Sequence, residues 1–232
     1  MTGTAVRPGQ DAPAPAPRRR GRGLRAALLA VIAVALVALG GGLAVGLGIG
    51  QEGTPAADSV DAGFSRDMAL HHRQGVEMAN LALERSEDAE VRQLAFDISS
   101  TQTNQAGRME GWLSLWGLSR SGGEHMAWMG DAHAGHDTSA TSGPGAPMPG
   151  MATEAELADL RSLTGTAFDV EFLRLMTRHH QGGFDMAQYA AGNASEPAVR
   201  TLAGSIADTQ AAEVTTMVGM LTARGGTPLP AP

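Results

Sequence analysis

Two stretches of the chain carry side chains that could do the same chemistry. Phe64–Ala79 reads FSRDMALHHRQGVEMA and Phe172–Ala187 reads FLRLMTRHHQGGFDMA. Each holds a histidine pair, His71–His72 and His179–His180. A methionine stands three residues before the first imidazole (Met68, Met176) and another six after the second (Met78, Met186). The other three histidines, His125, His133 and His136, lie between the two stretches with Met126, Met129, Met148 and Met151. The chain has no cysteine, which excludes disulfides, zinc–thiolate and iron–sulfur centres and cysteine nucleophiles. Imidazole and thioether without thiolate form a soft to borderline donor set. It suits Cu(I), with Cu(II) on the imidazoles, over Mg, Ca or Mn.

The two stretches belong to longer matching units. Asp61–Leu113 aligns without gaps on Asp169–Leu221 at an offset of 108, with 20 of 53 positions identical. Such a match points to tandem duplication of one unit. Within each unit, apolar positions recur at helical spacing on both sides of a polar break, Ser86–Asp88 in the first and Gly192–Pro197 in the second. Each unit therefore reads as an αα-hairpin. The first has helices from about Val60 to Leu83 and on to about Leu118. The second has helices from about Phe168 to Ala191 and on to about Ala223, with Ser195 expected as the N-cap and Pro197 tolerated in the first turn. Two hairpins give an all-α four-helix bundle of ferritin-like type.

Stepping about 100° per residue along the first helix places Phe64, Met68, His71, Gly75 and Met78 within an arc of about 80°. His72 sits at its edge, and the second copy repeats the pattern. The histidines thus lie on or beside the buried stripe. Gly75 and Gly183 leave space one turn after each first histidine. Folding each hairpin at its turn sets the histidines level with Gln102 and Gln105, or Gln210 and Glu213. Met109 and Met217 fall near Asp61/Phe64 and Asp169/Phe172. These residues, with Asp61 and Asp169, are expected to surround the histidines. A layer rich in His, Gln and Met should cross the core, and burying such groups unpaired costs about 1–3 kcal/mol each. A purely structural alternative lets His and Gln bond to each other while Met fills gaps. The intervening segment argues against it, because thioethers in a flexible, exposed loop would gain nothing from packing.

The regions that position these elements follow from composition. Residues 1–25 are Arg- and Pro-rich, with RRRGRGLR at Arg18–Arg25, and residues 26–50 are uncharged and largely apolar. A helix of that length spans about 37 Å, enough for a bilayer core. The arginines before it place the N-terminus in the cytoplasm and the main domain outside, as a single-pass membrane protein. Secretion after signal-peptide cleavage is the alternative. A linker, 51–57, leads to the bundle, 58–224. This comprises hairpin one (58–118), a Met/His-rich loop (119–152), a short helix (153–164) opened by a Thr153–Glu156 capping box, and hairpin two (166–224). Residues 225–232 read as a disordered tail. Residues 26–232 carry 11 Arg against 23 acidic side chains, a balance that repels nucleic acid and attracts cations.

The doubled M-x-x-H-H-x-x-G-x-x-M-A element, with MPGM at Met148–Met151 ahead of the second copy, resembles the domain of unknown function 305 family over about residues 58–224. The resemblance implies a ferritin-like helical bundle. It also implies, from members that are extracytoplasmic copper-binding proteins, Met68, His71, His72, Met78, Met176, His179, His180 and Met186 as ligands. The usual family form has Ala where this chain has Gly75 and Gly183, which would widen the site. The expected function is copper sequestration or handling at a membrane-anchored domain, not enzyme activity. One alternative is an envelope interaction module whose buried histidines are structural or sense pH. A ferritin-like di-metal oxidase is disfavoured because no Glu-x-x-His motif occurs.

Overall fold

The computed structural model describes residues 20–46, 53–132 and 146–232. It divides into two units, 1–53 and 54–232. In the first, α1 (Arg20–Gly46) starts within the arginine cluster, six residues earlier than the apolar run. Its segment Gly23–Ala44 is long and apolar enough to cross a membrane, the property shared by a signal sequence and an anchor.

The second unit is built from α2 (Val60–Arg85), α3 (Ala89–Leu115), a short 3-10 segment (Ala127–Ala132), α4 (Glu154–Ser162), α5 (Gly165–Asn193) and α6 (Pro197–Ala223). No strand occurs among the described residues. Helix starts follow capping chemistry. The Ser59 hydroxyl accepts from Ala62 N, and the Asp88 carboxylate accepts from Glu90 N and Val91 N. Thr153 and Glu156 form the expected capping box of α4. The start of α6 differs from expectation. Its N-cap is Glu196, without a side-chain bond. The free N–H groups of Ser195 and Glu196 instead donate to the carboxylate of Asp61, at 3.0 and 2.8 Å. Ser195 is not the cap, because a buried carboxylate from the other hairpin occupies its place.

α2 packs on α3 and α5 on α6 as two hairpins, and α2 joins them by crossing α5. The crossing is antiparallel. Phe64, Met68 and Ala69 share one apolar cluster with Met186, Ala187 and Ala190. Met78, Ala79 and Ala82 share the other with Phe172, Leu173 and Met176. The four core histidines lie on the two helices between these clusters. The chain end also departs from expectation: residues 225–232 are not a free tail. Gly226 N donates to Leu221 O, Arg174 reaches Thr227 O, and Leu229 packs on the second cluster. An apolar residue at 229 gives the terminus something to bury.

Candidate metal centre

All four core histidines have 0% exposure. At the α2–α5 crossing the rings of His71 and His179 lie 3.8 Å apart, centroid to centroid, tilted by 37°. The glycines make this approach feasible. A Cβ on Gly75 would fall 2.2 Å from Gln102 Oε1 and 3.0 Å from His179 Cε1. One on Gly183 would fall 2.8 Å from both amide atoms of Gln210. The space expected beside each first histidine is therefore filled by a glutamine from the facing helix and, at Gly75, by the other hairpin's imidazole.

Hydrogen bonds fix the tautomers. His71 Nε2–H donates to Pro149 O at 3.2 Å, and His179 Nε2–H donates to His71 O at 3.0 Å. His72 Nε2–H donates to Gln105 Oε1 at 2.8 Å. In all three rings Nδ1 is buried with no hydrogen-bond partner. His180 differs, since both its nitrogens face oxygen: Nδ1 donates to Met176 O at 3.0 Å and Nε2 lies 2.7 Å from Glu213 Oε2. Burial pushes the His71 imidazole down to about 4 and His72 down to about 3, and holds His179 well below its ordinary value. These rings are neutral at neutral pH, each with a bare Nδ1 lone pair and an Nε2–H pinned by an oxygen. Protein metal sites prepare imidazole ligands in this way.

The donors surround this layer unequally. Met68, Met109, Met126, Met129, Met148, Met151 and Met186 all belong to the first cluster. Met78, Met176 and Met217 belong to the second. Seven of the twelve methionines thus gather on one side of the histidines. The loop methionines were expected in an exposed segment; the structure buries them, with Met148 at 1% and Met151 at 3% exposure. Packing therefore does account for thioethers in this segment. It returns to the bundle because backbone groups hold it there. Gln74 exchanges two hydrogen bonds with Ala152, and Arg178 binds Met151 O and both carboxylate oxygens of Glu156. Pro149 O sits where a Cβ on Gly182 would be, 2.1 Å away. The MPGM turn is thereby pressed onto α5 and caps His71.

Other expected site residues fall elsewhere. Asp61 caps α6 and bonds no histidine, and Asp169 is buried with an unpartnered Oδ1. His125 is partly exposed and donates from Nδ1 to Asp67 Oδ1 at 2.8 Å. His133 and His136 lie outside the described residues. Asp67 escaped the sequence reading. It is a buried carboxylate that also accepts from Met126 N and Trp128 Nε1, both at 2.8 Å. Its counterpart at the 108 offset is Leu175, so the repeat comparison gave no signal for it. Gly63, over which Trp128 packs, was the available clue. Among the described residues no three His, Asp or Glu side chains are grouped to hold a metal ion. The donors are instead a closely set, tilted imidazole pair, a third bare Nδ1 on His72 and a bank of thioethers.

The sequence profile described as domain of unknown function (DUF305) matches residues 61–221. The chain belongs to the DUF305 family. A candidate secreted DUF305 protein from Streptomyces coelicolor is 42% identical to this DUF305 chain. The match covers 74% of this chain and 96% of that one, with a TM-score of 0.66. A DUF305 fragment from Deinococcus radiodurans is 35% identical over 70% and 95% of the two chains, with a TM-score of 0.56. CopM in its Cu(I)-bound form is 25% identical over 70% and 95%, with a TM-score of 0.52. No curated protein matches this DUF305 chain.

Proposed function

We propose that this DUF305 protein handles copper outside the cytoplasm, with its bundle held at the membrane by an uncleaved α1. The observation that carries the reading is a buried set of neutral imidazoles with bare Nδ1 atoms on the same two helices that carry a methionine-rich cluster. Cu(I) is the cargo this donor set favours, because thioether sulfur is a soft ligand and buried neutral imidazole a borderline one. The likeness to CopM, which has been seen with Cu(I) and with Cu(II), supports the same class of cargo. His71 and His179 would supply nitrogen at the helix crossing, with His72 at its edge. Met148 and Met151, on either side of the carbonyl that pins His71, would supply sulfur beside Met68 and Met186. Met78, Met176 and His180 fit less well. The two methionines pack in the second cluster, and both nitrogens of His180 face oxygen. Matching hairpins at a fixed offset fit a duplicated ancestral unit in which His71, His72 and His179 carry bare nitrogen and His180 does not.

Competition between the full chain and a Cu(I) chelator tests the proposal. Binding tighter than micromolar is expected. Met148→Leu with Met151→Leu should weaken it by about 10-fold or more, while Met78→Leu with Met176→Leu should leave it within about threefold. These near-isosteric changes cost less than about 1.5 kcal/mol of stability, so the comparison does not depend on refolding. Affinity no better than micromolar in the wild-type chain overturns the reading. A second reading, an acid-responsive envelope module, draws on the same neutral buried histidines. A melting temperature that copper leaves unmoved but pH between 5 and 7 shifts steeply would favour it.

A further inference from the structure

We infer that the end of the bundle where α2 begins and α3 ends docks on the lipid headgroup interface. The inference rests on the reading of α1 as a retained anchor. All three tryptophans and the single tyrosine of the chain belong to the apolar cluster at this end, whereas the stacked Phe168–Phe172 pair lies in the other. Two of these aromatics lie toward the surface. Trp112 on α3 and Trp116, the C-cap of that helix, stack at 6.5 Å and are only partly buried. Between them Leu115 is 81% exposed, the most exposed large apolar side chain of the second unit. Arg108 lies 5.5 Å over the Trp112 ring. Amphipathic indoles, an apolar side chain and a nearby guanidinium form the group of residues that settles at the level of lipid headgroups.

The connection of the chain determines which surface this edge can meet. The Arg66 guanidinium bonds both Ala57 O, just before α2, and Ser119 O, just after α3. The exposed edge is therefore joined through one side chain to the point where the bundle receives its tether. Fifteen residues, 45–59, separate the apolar span from α2. They set an upper bound of about 50 Å on that separation. An apolar, aromatic edge tethered within that reach of a bilayer meets lipid at a raised effective concentration.

The test uses the full chain in vesicles of phosphatidylcholine with phosphatidylglycerol, in which the acyl chains carry bromine near the headgroup. Bromine quenches tryptophan on contact. Trp112 and Trp116 should lose emission, and the loss should disappear in the Trp112→Phe, Trp116→Phe double variant, which leaves only the buried Trp128. Leu115→Asp should reduce quenching while leaving the melting temperature unchanged, because the side chain is already in water. If the chain floats with the vesicles but its tryptophans are not quenched, docking is overturned and the anchor stands. If it does not float, the anchor reading fails and docking fails with it. Quenching equal in Leu115→Asp and wild type, or an edge covered by a second copy at rising protein density, also overturns docking.

Discussion

The two hairpins carry the same signature at the same spacing and put it to different use. In the first, His71 donates to a carbonyl of the intervening segment and His72 to a neutral amide, Gln105. In the second, His179 donates to the first hairpin's own backbone and His180 is held between a carbonyl and the carboxylate of Glu213. Gln105 and Glu213 occupy matching positions and each bonds Nε2 of its ring, but only His180 also bonds a carbonyl, that of Met176, through Nδ1, so His72 keeps a bare nitrogen and His180 does not. The MPGM segment has no counterpart, and it adds its methionines to one face of the layer only. A repeated sequence thus produces an asymmetric core, and the asymmetry lies in neighbours that the repeat does not specify.

The largest consequence is a steep acid sensitivity. His71, His72 and His179 are held below the ordinary histidine value in the fold, mainly by burial. His180 lowers all three further and His71 lowers His72 and His179, while the bond to Pro149 and the charge of Asp67 oppose the trend at His71. The unfolded chain therefore binds more protons below pH 6.5, and stability that is complete above that value is lost as pH falls toward 4. Each histidine contributes about 1.4 kcal/mol per pH unit across its window. Lower still, Asp88 and Glu156, whose carboxyls are depressed by Arg224 and Arg178, add to the loss. Urea unfolding at pH 7, 6 and 5 should show midpoints falling with pH. His72→Gln should flatten the slope, because burial holds that imidazole down at about 3 in the fold. A slope unchanged in His72→Gln would show that this ring does not drive the loss.

The next effect tests the segment that breaks the symmetry. Gly182→Val places a Cβ on Pro149 O, a backbone atom with nowhere to move. It should cost about 3 kcal/mol, at the upper end of overpacking, and free the MPGM turn. The matching residue of the first hairpin is Gln74, and Gln74→Ala removes two hydrogen bonds to Ala152 for about 1–2 kcal/mol. Thermal melts of the pair should rank in that order. The reverse ranking would mean that the segment is held by its polar ties and not by close backbone contact.

Helices and the level of the polar layer could be read from the chain because both follow from local rules. Apolar spacing marks α2, α3, α5 and α6, and counting back from each turn sets His72 opposite Gln105 and His180 opposite Glu213. What could not be read depends on contacts distant in sequence. Burial of Met126, Met129, Met148 and Met151 requires Asp67, Gln74, Arg178 and Gly182 to hold their segments. None of those four has an identical counterpart at the 108 offset. The Asp61 cap on α6 spans 134 residues, and nothing near Ser195 announces it.

That cap gives the smallest and most direct contrast. Asp61 and Asp169 are identical in type and matched in position, yet Asp61 satisfies two helix N–H groups while Asp169 keeps an unpartnered oxygen. Asp61→Ala leaves the Ser195 and Glu196 donors without an acceptor and should cost about 2 kcal/mol. Asp169→Ala removes a desolvated oxygen that returns no bond there, so its melting temperature should stay within about 2 °C of wild type. Calorimetry on the two single variants decides the matter. If Asp169→Ala proves as damaging as Asp61→Ala, the second carboxylate also ties the hairpins together, and the two halves are more alike in their joints than in their histidine neighbours.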